Sequence, residues 1–195
     1  MATVNALAAV CEGIVQYLRS NYVPADWGNH ECTFKVFGPD DFATPPLLGV
    51  SLFPFRVSPN GLSRNVPGRT QSGGGQQGQQ LVVDLYFLLT VWARDPLLQN
   101  GLLGWAMRCL DDAPVLTASL LNAALAGVFR SDETVEVVMV QMDEEEFSEL
   151  WRTLGDLKFR LSVPYLCRGI QIESAATTSS TPVGQKQAAQ GGTAP

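Results

Sequence analysis

The chain has 195 residues, 46% of them hydrophobic and 16% charged, which suits one domain with a substantial core. A formal net charge of −6 excludes a general affinity for nucleic acid, which needs a clustered basic face to displace counterions. The single histidine, His30, excludes a zinc site built on two or three histidines of one chain, and Cys11, Cys32, Cys109 and Cys167 form no C-x-x-C pair.

The chain opens on an apolar stripe. Val4, Leu7, Ala8, Cys11, Ile14, Val15 and Leu18 recur at steps of three and four, predicting an amphipathic helix from about Ala2 to Arg19. The same residues lack a basic leader and carry Glu12, so they do not read as a signal peptide. Thr33 to Phe37 reads as a short strand closed by Gly38-Pro39, after a loop marked by Pro24, Gly28 and Asn29. Val50 to Val57 reads as another strand; Pro54 has no N–H for a ladder, so an edge or a bulge is expected there.

Residues 67–80 hold five glycines and no large apolar side chain, and read as a mobile loop joining two strands. Leu81 to Trp92 is the strongest strand signal. Both of its faces are largely apolar, predicting a central strand covered on both sides. Asp95 as N-cap and Pro96 in the first turn start a helix running to about Leu110, with Leu98, Leu102, Trp105, Met107 and Leu110 expected to pack. A shorter helix follows over Thr117–Leu125, and then a strand over Thr134–Gln141.

Asp143 to Glu146 opens a further helix with core positions Phe147, Leu150, Trp151 and Leu154. Asp143 is expected to cap it and Glu146 to complete a capping box, with the acidic run meeting the positive helix end. The last strand, over Phe159–Ile172, is expected to bend at Pro164. Residues 174–195 are Ala, Thr, Ser, Gln and Gly with one charge, Lys186, and read as a disordered tail after a single domain over 1–173. The order of elements predicts an α+β fold: a single mixed sheet with helices packed on it.

Chemical motifs are few. Gly73-x-Gly75-x-x-Gly78 precedes a strand, whereas a dinucleotide fingerprint follows one and opens a helix. Gly61 to Thr70 has the wrong glycine spacing for a phosphate loop, and Arg69 stands where a lysine is required. His30 and Cys32 share a face if extended; a thiol–imidazole pair competes there with the plainer reading of a loop histidine beside a buried cysteine. Asp84 is a carboxylate inside an apolar strand. It is either a general base of raised pKa or, the favoured reading, a residue paired with an arginine or facing a subunit partner. No second acid or nucleophile completes a site, so no enzyme activity and no cofactor is expected. The absence of an apolar run of roughly 20 residues predicts no membrane insertion, and the cysteine usage a cytoplasmic protein with free thiols.

Three stretches carry a resemblance. Leu62-Ser-Arg-Asn65 after LFPFRV, LVVDLYFLLTVWARDP leading to LLGWAMRCLDDAPVL, and ELWRTLGDLKFRLSVPYLCRGIQIES stand in the order found in one family. Over residues 2–173 the chain resembles the cap, or tail-terminator, proteins of extracellular contractile injection systems, phage-tail-like particles of the virulence-cassette and antifeeding-prophage type. The resemblance implies a structural protein in a homo-oligomeric ring, a hexamer. The ring would sit on the inner tube and sheath at the end distal to the baseplate, ending their polymerisation and joining them. It implies assembly in the cytoplasm and then residence in the particle. The alternative is a cargo-loading or anchoring adaptor of the same particle. Some family members carry longer C-terminal extensions, where this chain has a short polar tail. Arg64, Asn65 and Arg69, flanking the flexible loop, are expected to contact an acidic or carbonyl-rich surface of a neighbouring subunit, tube or sheath.

Overall fold

Strand β3 (Gln80–Trp92) organises the molecule, because its alternating side chains are apolar on both sides. Val83, Leu85, Phe87, Leu89 and Val91 enter one core. Leu88 and Trp92 enter a second core on the opposite face. These features belong to a computed structural model, described over residues 4–61, 80–154 and 159–173. Of the loop expected over 67–80, Gln80 belongs to β3, and residues 67–79, the tail over 174–195, and Arg64, Asn65 and Arg69 lie outside the described residues.

The remaining elements in chain order are α1 (Ala6–Asn21), β1 (Thr33–Val36), β2 (Gly49–Pro59), α2 (Pro96–Asp112), β4 (Val115–Thr117), α3 (Ala118–Ala124), β5 (Thr134–Met139), α4 (Glu144–Thr153) and β6 (Ser162–Glu173). Short 3-10 turns occupy Pro24–Trp27 and Pro39–Ala43. The six strands among the described residues form one sheet in the order β1-β2-β3-β6-β5-β4. Only β1 and β2 run parallel; the other pairs are antiparallel. This is the mixed sheet with packed helices that the pattern implied, with β3 inside it.

One face carries α1, α2 and α3. Ile14, Leu18, Leu102, Leu110 and Leu121 are buried there against the β3 residues. Gly13 lets α1 and α3 meet closely: a Cβ there would stand 3.0 Å from Leu121 Cδ2. The opposite face carries α4 and the Pro39–Ala43 turn, which pack Phe42 and Trp151 onto Phe37, Phe53, Leu88 and Trp92. Phe42 meets Trp151 edge-on, with ring centroids 5.9 Å apart. The polar interruptions inside β3 and β2 are paired. Thr90 Oγ1 lies 2.8 Å from Ser162 Oγ, and Trp92 Nε1 donates to Ser51 Oγ at 2.8 Å.

Several local expectations change. Helix α1 starts at Ala6; Val4 stands 80% exposed outside it and Ala8 is exposed on it, while Ala6, Ala9 and Val10 join Cys11, Ile14, Val15 and Leu18 on the buried face. On α2 the Asp95 cap forms as read, accepting from Leu98 N at 2.8 Å. The buried stripe of α2 is Leu102, Leu103, Ala106 and Leu110, whereas Leu98, Trp105 and Met107 are half-buried. Strand β4 precedes α3 unannounced. Asp143 occupies the N-cap position of α4 with no side-chain capping bond, and Glu146 leaves the capping box to pair with Arg56 at 2.9 Å. The ion pair pulls the carboxylate away from the backbone it was expected to cap. Pro54 does mark a bulge, the register of β2 against β3 shifting between Pro54 and Arg56. In β6 the irregularity falls at Gly169, not at Pro164.

Candidate functional site

Asp84 sits opposite that irregularity. The register passes from Val83↔Ile170 to Leu85↔Cys167, so Arg168 and Gly169 together face Asp84. Gly169 takes φ +73°, open to glycine at little cost, and its N–H donates to Asp84 Oδ1 at 3.0 Å. Asn60 Nδ2 donates to the same oxygen at 2.8 Å. Among the described residues no arginine pairs with Asp84; a bulge N–H and a side-chain amide donate to its Oδ1. Asp84 therefore holds β2, β3 and β6 together at one end of the sheet.

No hydrogen bond joins the His30 and Cys32 side chains among the described residues. The His30 carbonyl accepts from Tyr22 Oη at 2.8 Å, while Cys32 Sγ approaches Thr33 O at 3.9 Å. Burial pushes the Cys32 thiol up to about 12, which leaves it protonated and unreactive at neutral pH. Cys11 is likewise pushed up to about 12, by burial first and the Glu12 charge second. Cys167, fully buried, is raised well above its ordinary value by burial and then by Cys11. All four cysteines are free thiols. Among the described residues no group of three or more His, Cys, Asp or Glu could hold a metal ion, and no helix is long and apolar enough to cross a membrane.

The described surface carries grooves. A groove of about 470 Å³ lies between the C-terminal half of α2 and β5, floored by Met107, Leu110, Val137 and Tyr165. A second, of about 350 Å³, lies between the first turns of α1 and the middle of β2. Arg56 stacks on Tyr86, its guanidinium 3.9 Å from the ring centroid, beside the acidic start of α4. Arg130 and the buried Glu173 form an ion pair that ties the α3–β5 connection to the end of β6. Sequence reasoning singled out none of these surfaces, because each joins elements distant in the chain.

Helices thus cover both faces of the sheet, and apolar grooves open beside α1 and α2. The chain belongs to the Pvc16 N-terminal domain family, which it matches over residues 9–186. Its fold is that of the terminators of contractile injection particles. It is similar to the PVC sheath/tube terminator of an extracellular contractile injection system in its extended state, at 15% identity and TM-score 0.62, covering 96% of this chain and 64% of that one. It is also similar to the anti-feeding prophage cap, the AFP tube-terminating cap, at 15% identity and TM-score 0.63, covering 93% of this chain and 60% of that one. The chain thus spans less than two thirds of each of these structures. No curated protein matches it.

Proposed function

We propose that the protein is a structural cap of a contractile injection particle. It ends polymerisation of the inner tube and sheath and joins the two at the end distal to the baseplate, as a homo-oligomeric ring of six copies. The observation that carries this reading is the family membership over residues 9–186 together with a terminator fold across nearly the whole chain. The physical reading supports it. Termination needs one surface that fits the growing end and a second that does not repeat it, so growth stops because the next subunit finds no complementary patch. No bond is made or broken, consistent with thiols held protonated by burial and with Asp84 engaged in the sheet.

On this reading the protein assembles in the cytoplasm and then resides in the particle. Arg64, Asn65 and Arg69 contact a neighbouring subunit, tube or sheath, the planar arginine fork suiting carboxylates or carbonyls. Electron microscopy of particles carrying a tagged copy tests the placement. Label at the end opposite the baseplate supports the cap, and label along the lumen or at the baseplate favours a cargo or anchoring role.

A further inference from the structure

The groove between α1 and β2 is apolar and carries one charge. Leu7, Cys11, Val36, Pro54, Val57 and Leu85 line it, with Glu12 on its rim. Glu12 has no ion pair among the described residues. Strand β1 covers only Gly49–Leu52 of β2, which leaves the later part of β2 open along that side. Pro54 and Pro59 have no N–H to offer an added strand, so this edge resists strand addition and presents side chains instead. Val57 is 48% exposed at its margin.

The complement stands on the other face of the sheet. Just before β6, Phe159 is 61% and Leu161 40% exposed, with Arg160 between them. Phe159 leans on Phe147 and Trp151 at centroid distances of 5.8 Å, which holds the segment against α4. Arg160 lies 5.9 Å over the Trp92 ring and has no ion pair among the described residues. A further exposed basic–apolar segment, Arg94 to Leu97, has Asp95 within it to offset its charge. The groove lines the face that holds α1, whereas the Phe159–Leu161 segment lies on the face that holds α4, with β3 between. One chain cannot join its own two patches.

We propose that the groove at Glu12 receives the Phe159–Arg160–Leu161 segment of a second copy, Arg160 pairing with Glu12 while the apolar side chains fill the groove. The two patches differ, so the contact is head-to-tail, and a joined pair keeps a free segment on one copy and a free groove on the other. Such contacts close into a ring where the rotation allows. The inference rests on the ring reading for that closure, while the contact itself rests on the two patches.

Sedimentation velocity of the full chain tests it with Glu12→Arg, Arg160→Glu, the two variants mixed, and both changes in one chain. The wild type is expected to self-associate with concentration. Each single reversal sets like charges together and should weaken association about tenfold or more. Mixing the singles restores assembly, because each variant repels itself and attracts the other; the double variant restores it in one chain. Leu161→Asp provides a second route if a reversal fails to fold, and should also abolish association. Singles that assemble like wild type, a mixture without rescue, or a wild type that stays monomeric overturns the contact. The cap reading is judged separately by particle length, so its failure and that of the contact are distinguishable.

Discussion

Trp151 offers a sharp test of the second core. It is 5% exposed, packed on Phe42 and Phe159, and its indole Nε1 is buried with no hydrogen-bond partner among the described residues. Trp151→Ala removes a large buried aromatic and should cost about 3–5 kcal/mol. For a domain of this size that is a fall of roughly 6–20 °C in melting temperature. Trp151→Phe should behave differently. It gives up roughly 40 Å² of apolar contact, or about 1 kcal/mol. It also removes an orphaned donor whose burial costs about 1–3 kcal/mol. Trp151→Phe is therefore expected to match or exceed wild-type stability. Urea titrations followed by circular dichroism, with unchanged slope, measure both variants. A Trp151→Phe protein as unstable as Trp151→Ala would refute the reasoning, since the N–H would then be making a bond that matters.

Asp84→Ala removes the acceptor of the Gly169 N–H and of one Asn60 hydrogen bond, and should cost about 1–3 kcal/mol, while Gly169→Ala should cost about 1–3 kcal/mol through its φ of +73°. Thermal melts check both, and a neutral Asp84→Ala would free the carboxylate for a role at an interface. Burial holds Cys11, Cys32 and Tyr165 up at about 12, from ordinary values of 9.0 for the thiols and 10.0 for the phenol. The folded state thus keeps protons that the unfolded chain releases, so stability is full below about pH 9 and falls between about pH 9 and 12. Denaturation midpoints across that range, with Cys32→Ala flattening the decline, measure it; a flat profile contradicts it. An Arg64→Ala, Arg69→Ala double variant should weaken assembly at raised salt, and normal assembly would remove those arginines from the contact surface.

The parts of the fold legible in the sequence are those set by local pattern. The α1 stripe, the doubly apolar β3, the Asp95 cap and the Pro54 bulge each follow from neighbouring residues and backbone chemistry. What escaped depends on partners far along the chain. Strand β4 is three residues long and shows no period of its own; it exists because β5 pairs with it. The α4 capping box is a sound local motif, yet Arg56 lies ninety positions away and takes Glu146. Asp84 is visibly anomalous in sequence, but its donors come from the end of β2 and from a bulge in β6. The grooves are less legible still, since α1 meets β2, and α2 meets β5, only in the folded molecule.

The central claim is that this protein stops tube and sheath growth, and particle length measures it most directly. With the gene deleted and tube and sheath still made, electron micrographs should show particles of irregular length, unstable sheaths or no complete particles. Wild-type protein supplied in trans should restore a single length. Particles of normal length and full stability without the protein would contradict the account.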